Sequence, residues 1–146
     1  MITPAAVASL CGALLAGSVD ARTGRIPDRL TRPTAAAALT VAAATGSAVA
    51  AWWGALAAGG SLLLLYAATR GRGLGFGDVK LATAIGIGFG PSLGLIALGA
   101  AFVIGGAYAS WLLAVRRAGR HDAVPFGPFL AAGTLIAAMI SSALPA

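Results

Sequence analysis

The charged residues are gathered into three short clusters, and this placement constrains the fold more than any other feature of the sequence. Only 10% of the 146 residues are charged, whereas about a quarter are charged in an average soluble domain. The clusters cover residues 20–32, 70–80 and 116–122, and the stretches around them carry no charge. Because 59% of the residues are hydrophobic, we exclude a water-soluble globule and predict an all-α protein that crosses a membrane several times.

The lengths of the four uncharged stretches predict the number of crossings. A helix needs about 20 residues, at a rise of about 1.5 Å each, to cross the hydrocarbon layer. As one straight helix, residues 33–69 would be roughly 55 Å long against a layer of roughly 30 Å, so this stretch and residues 81–115 should each form a hairpin. We therefore predict six transmembrane helices. Their approximate bounds are 1–19, 34–50, 52–69, 78–90, 93–115 and 125–144.

The same clusters predict the orientation of the chain. With six helices, all three clusters fall on one side of the membrane, and each has a net charge of +2. Basic loops face the cytoplasm, so both termini are expected outside, with anionic lipid headgroups as partners of the basic residues. No aromatic-interleaved basic surface indicates nucleic-acid binding. Residues 1–19 lack the basic start of a secretory signal and are expected to be a retained helix.

Two residue types that often bind metals are nearly absent. Cys11 is the only cysteine and His121 the only histidine. This excludes an intrachain disulfide and a zinc site built from Cys and His, and we predict no metal and no cofactor.

All four acidic residues are aspartates. They are Asp20, Asp28, Asp78 and Asp122. Asp20 lies where the first predicted helix reaches the cytoplasmic face and Asp78 where the fourth begins, so the two are expected at similar depth, facing each other. Ionisable groups at membrane depth are candidates for function, although either could instead be a boundary charge solvated by headgroups. Asp28 is expected to cap the next helix or to turn the loop.

A glycine-rich segment precedes Asp78. Residues 71–80 read Gly-Arg-Gly-Leu-Gly-Phe-Gly-Asp-Val-Lys, with four glycines before the acid. So many glycines do not continue a helix, and they allow another backbone to approach closely. A phosphate-binding loop is disfavoured because the P-loop Lys-Ser/Thr pair is missing.

Two segments resemble the signatures of a known family. Gly75-Phe76-Gly77-Asp78, followed by Lys80, resembles the GxGD motif of the type IV prepilin peptidases, which are intramembrane aspartic proteases. Asp20, followed by Ile26-Pro27, is similar to the other aspartate motif of that family, and residues 124–130 resemble the opening of its final helix.

The resemblance implies a single membrane-embedded peptidase domain over residues 1–146, with Asp20 and Asp78 as catalytic residues. It implies that a prepilin-like or pseudopilin precursor loses its leader at the cytoplasmic face of a bacterial inner membrane. Two close carboxyl groups can share the one proton that this chemistry needs. The motif residues expected near the substrate are Gly75, Gly77, Lys80, Ile26 and Pro27, although a lipid headgroup is the favoured partner of Lys80. Fuller family members carry a methyltransferase region with paired Cys-x-x-Cys motifs, which this sequence lacks.

A second interpretation remains open from the residues alone. In a transporter or an assembly subunit, Asp20 and Asp78 would bind a cation or fix the register of the helices. Transporters usually place such groups near the middle of the membrane, whereas both aspartates here lie towards one face. That location favours the peptidase.

Overall fold

The computed structural model describes residues 2–115 and 124–143, and these residues form helices and connecting loops without a strand. The helices are α1 (Pro4–Thr23), α2 (Asp28–Ala44), α3 (Ala48–Gly54), α4 (Gly60–Ala68), α5 (Phe76–Ala114) and α6 (Gly127–Ala143). A π-helical turn over Ala55–Gly59 joins α3 to α4. The third charged cluster, with His121 and Asp122, and the predicted end of the sixth helix lie outside the described residues.

Three helical stretches are long and apolar enough to cross a membrane. They are Pro4–Thr23, Ala48–Ala68 and Phe76–Ala114, and the shorter apolar helix Gly127–Ala143 adds a fourth apolar element. This confirms the all-α class and the membrane character predicted from the charge pattern. The count of six crossings and the sides of the termini stay predictions.

The long helix α5 is two helical segments divided at Gly90. Gly90 has φ 72° and ψ −177°, a backbone conformation that is essentially restricted to glycine, and Pro91 has no N–H to continue the helix. A Cβ atom built on Gly94 would lie 3.2 Å from the Cα of Gly86. Eight residues of straight helix span about 12 Å, so the two segments fold back on each other. The predicted hairpin with its turn near Gly90-Pro91 is therefore present.

The other predicted hairpin is also formed, with shifted bounds. The chain turns at residues 45–47 rather than near 51, and the second helix begins at Asp28 rather than at 34. Pro27, in an extended conformation, is the N-cap of α2, so Pro33 lies inside that helix. Pro33 is the sixth residue of α2, so its missing N–H leaves the carbonyl of Arg29 without an intrahelical donor.

Small residues bring α5 into contact with the other helices. The backbones of Gly54 and Gly86 touch, so neither position has room for a Cβ atom. Ser9 Oγ donates a buried hydrogen bond of 2.7 Å to the carbonyl of Ala84 and thereby fixes α1 against α5. Close packing of small residues and interhelical hydrogen bonds are the usual forces between helices in membranes. This packing places the end of α1 beside the starts of α5 and α6.

Candidate active site

A cavity of about 460 Å³ lies where the end of α1 meets the starts of α5 and α6. Three segments of the chain form its wall: the connection that follows α1, the glycine-rich loop, and the residues that precede α6. Its lining residues are Asp20, Gly24, Arg25, Ile26, Gly71, Gly73, Leu74, Gly75, Phe76, Gly77, Asp78, Val124, Pro125 and Phe126. The structure therefore brings the two aspartates of the sequence motifs to one cavity, beside the first two charged clusters.

Asp20 lies in the last turn of α1 and is buried, with 3% of its surface exposed. The helix ends because Gly24 adopts a left-handed conformation and donates its N–H to the carbonyl of Asp20 at 2.7 Å. The carboxyl group of Asp20 is oriented by a residue of another helix, because its Oδ2 accepts the N–H of Gly127 at 2.9 Å. Gly127 is the first residue of α6, so the partially positive end of that helix faces the carboxyl group.

Only glycine fits at position 127. A Cβ atom built there would lie 2.8 Å from both Cβ and Oδ2 of Asp20. Sequence reasoning compared residues 124–130 with the start of the family's final helix but gave Gly127 no role. The Pro-Phe-Gly-Pro sequence at residues 125–128 marks a special backbone position there, but it does not indicate which residue Gly127 contacts.

Asp78 is the third residue of α5 and is also buried, with 6% of its surface exposed. Its Oδ2 accepts the N–H of Gly75, the residue that caps the helix, at 3.0 Å. Within residues 2–115 and 124–143, its buried Oδ1 has no hydrogen-bond partner. One carboxyl oxygen of Asp78 is therefore fixed by its own loop, and the hydrogen-bonding capacity of the other is unused among the described residues.

Two motif glycines and Ile26 form part of the same wall. A Cβ atom on Gly77 would lie 3.0 Å from Cβ and 3.2 Å from the carbonyl oxygen of Ile26, so the two aspartate motifs touch here. A Cβ atom on Gly75 would lie 3.2 Å from Oδ2 of Asp78. Pro27, in contrast, is absent from the lining and serves as the N-cap of α2.

Lys80 is directed to a different partner from the one expected. It does not line the cavity; its Nζ lies 2.6 Å from Oδ1 of Asp28 and 5.1 Å from the centre of the Phe76 ring. Lys80 therefore forms an ion pair within the protein, and its contact with a lipid headgroup stays a prediction. The prediction that Asp28 caps α2 is wrong, because Asp28 is the first residue of the helix and makes no capping bond.

Asp28 binds two basic residues. Besides Lys80, its carboxylate contacts Arg32 one helical turn later, at 3.1 Å. Asp28 therefore makes one contact within its own helix and one to the start of α5.

Metal-ligating residues do not gather in the part of the chain that the structure describes, where no group of three or more His, Cys, Asp or Glu could hold an ion. The cavity instead combines two carboxyl groups, one arginine and a wall rich in glycine backbone. Carboxyl groups that line one cavity can act as an acid and as a base toward a molecule bound there.

Comparison with known proteins gives two findings. A family model described as "Type IV leader peptidase family" matches residues 7–110, a range that includes both cavity aspartates. Two curated relatives, each named "Prepilin leader peptidase/N-methyltransferase" and from Burkholderia pseudomallei strains 1026b and K96243, are 40% identical over 135 residues. The alignments cover 85% of this chain and 42% of each relative, so the chain spans less than half their length. No solved structure matches the chain.

Proposed function

Because the chain belongs to the type IV leader peptidase family, a family of peptidases, we propose that it is an intramembrane aspartic endopeptidase with Asp20 and Asp78 as its catalytic residues. Its substrates are membrane-anchored prepilin-like or pseudopilin precursors, from which it removes the leader peptide. The observation that carries the proposal is that two buried carboxyl groups from distant parts of the chain line one cavity.

The chemistry requires the two carboxyl groups to differ in protonation. One ionised aspartate takes a proton from the attacking water, and the other, neutral, donates a proton to the carbonyl oxygen of the scissile bond. Two carboxyl groups in one site share a proton and titrate as a unit. Oδ1 of Asp78 is buried and has no hydrogen-bond partner among the described residues, so it keeps a bonding capacity that the attacking water or the scissile carbonyl group can use once the substrate is bound.

Helix dipoles do not by themselves divide the two roles. From the sequence, only Asp78 was expected at the start of a helix, which favours the anion there. The structure also places Asp20 at the start of α6, through the N–H of Gly127. Both carboxyl groups therefore accept a hydrogen bond from helix-start backbone, and we treat them as a pair that holds one proton.

The glycine-rich loop supports a substrate in an extended conformation. Gly71 and Gly73 have φ values of 71° and 99°, which side-chain-bearing residues rarely adopt, and both line the cavity. A wall of glycine backbone leaves room for a peptide chain to lie close to the two aspartates. A peptide bond within a helix would be shielded from attack, so the leader junction must unwind before it is cut.

The charge pattern supports a cytoplasmic position for the site. Most residues that line the cavity belong to the two charged clusters at residues 20–32 and 70–80, which the positive-inside rule assigns to the cytoplasm. We propose six crossings in the bacterial inner membrane, namely α1, α2, the α3–α4 stretch, the two segments of α5, and α6, within one domain. Both termini then lie outside.

Leader removal by the purified protein tests the proposal. The substrate is a membrane-anchored precursor with a short basic leader, a glycine at the junction and an apolar helical stem. Asp20→Asn and Asp78→Asn are each expected to lower kcat by on the order of a thousandfold or more, because asparagine has the shape of aspartate but cannot transfer the proton. Asp122→Asn, which changes an acid outside the cavity motifs, is the matched control.

The result also separates the peptidase from the cation-binding alternative. Cleavage by either cavity variant at the wild-type rate would remove the catalytic assignment. Absence of cleavage by the wild type, together with cation binding that both Asp→Asn variants abolish, would support a transporter or an assembly subunit.

A further inference from the structure

The proposed chemistry makes no use of the ion pair between Asp28 and Lys80. These residues are 52 positions apart, and their side chains meet at 2.6 Å across the starts of α2 and α5. Asp28 follows Ile26 by two residues, and Lys80 follows Asp78 by two residues. Each partner is therefore attached directly to one of the two aspartate motifs.

The same two segments meet a second time, on the cavity side. Ile26 packs closely against the backbone of Gly77, where a Cβ atom would lie 3.0 Å from Cβ of Ile26. On the other side of the contact, the ammonium group of Lys80 lies over the ring of Phe76, itself part of the cavity wall. A cation over an aromatic face is attracted to it, so Lys80 is held in position for Asp28. The two contacts together fix how the connection after α1 docks on α5.

That docking acts on the distance between the carboxyl groups of Asp20 and Asp78, in addition to the packing of α1 against α5. The N–H of Gly127 orients the carboxyl group of Asp20, and the N–H of Gly75 orients that of Asp78. Neither bond joins the two motifs to each other. We propose that the Asp28–Lys80 ion pair is a positioning device that sets the separation of Asp20 and Asp78; this inference rests on the proposed function.

The pair is suited to positioning rather than to stability. The side chains of Asp28 and Lys80 are 42% and 31% exposed, and pairs screened by solvent contribute little to the free energy of unfolding. A displacement of about 1 Å in an active site, however, can lower a rate by on the order of a hundredfold. Loss of the pair should therefore reduce kcat far more than it reduces stability.

A double-mutant cycle tests the pairing. Lys80→Met, which keeps the apolar stem, and Asp28→Ala are each expected to lower kcat by on the order of ten- to a hundredfold, with KM and the thermal midpoint nearly unchanged. The double variant should be no slower than either single one, because both remove the same interaction. Lys80→Arg should retain most of the activity. Arg32→Met is the matched control, because Arg32 contacts the same carboxylate from an exposed position.

Multiplicative losses in the double variant, or full activity of Lys80→Met, would overturn the inference while leaving the Asp→Asn results, and hence the proposed function, untouched.

A second measurement does not depend on cleavage. In a Cys11→Ser background, cysteines are placed at positions 20 and 78 and joined by a short bifunctional thiol reagent. Adding Lys80→Met should slow the cross-linking severalfold, and an unchanged rate would contradict the proposal even if no substrate were cleaved.

Discussion

The two cavity aspartates are held in opposite ways. Asp78 is fixed by the N–H of Gly75, three residues before it, whereas Asp20 is fixed by the N–H of Gly127, 107 residues after it. One carboxyl group is oriented by its own loop as soon as α5 begins, and the other only when α6 docks against α1. The GxGD segment therefore contains the donor that orients its own aspartate, whereas the aspartate of the first motif is oriented by a donor on the last helix.

The largest effect is expected where the distant bond is broken. Gly127→Ala adds a methyl group that would lie 2.8 Å from Asp20, so the carboxyl group must move away from the start of α6. We expect kcat for leader removal to fall by on the order of a hundredfold, with the helical content unchanged. Gly106→Ala is the control, because a Cβ atom on Gly106 meets nothing within 4 Å. Wild-type activity of Gly127→Ala would show that Asp20 does not depend on α6.

A smaller effect is expected where the local bond is broken. Gly75 has φ −79° and ψ 146°, a conformation open to proline, which has no N–H to donate. Gly75→Pro should lower kcat by about tenfold, since a net hydrogen bond to a charged group contributes about 1.5–3 kcal/mol and the helix still places Asp78.

Gly75→Ala provides the matched comparison for that prediction. It adds a similar Cβ atom, 3.2 Å from Oδ2 of Asp78, but keeps the N–H. Steady-state kinetics on the two variants then separate crowding from the lost donor. Equal activity of the alanine and proline variants would mean that the bond from Gly75 does not contribute.

The same contrast explains how much could be predicted from the sequence. The turn at Gly90-Pro91 and the placement of Asp78 at a helix start follow from glycine, proline and charge patterns within a few residues, and the structure shows both. The contact of Gly127 with Asp20 depends on the docking of α6. The sequence pattern of a glycine between two prolines is the same whether the glycine forms a turn or lies against a carboxyl group.

The partner of Asp28 could not be predicted for a similar reason. An aspartate after a proline at a helix start is a typical cap, and only the approach of α5 brings Lys80 within reach of it. The π-helical turn at Ala55–Gly59 likewise lies where α5 packs closely against Gly54 and Gly59. Apolar composition in that stretch predicts a helix but not a local change in its hydrogen bonding.

The smallest effect on kcat is expected from the Ser9–Ala84 hydrogen bond, which fixes α1 against α5 but does not orient the carboxyl group of Asp20. Ser9 is fully buried and donates to the carbonyl of Ala84 on α5. Ser9→Ala should lower the free energy of unfolding by about 0.5–1 kcal/mol and leave kcat unchanged, because Gly127 still orients Asp20. Denaturation in detergent micelles measures the first quantity, with Ser18→Ala, whose hydroxyl donates to the carbonyl of Leu15 in its own helix, as the control. A fall in kcat as large as that of Gly127→Ala would mean that the position of α1, and not the donor at the start of α6, determines where Asp20 lies.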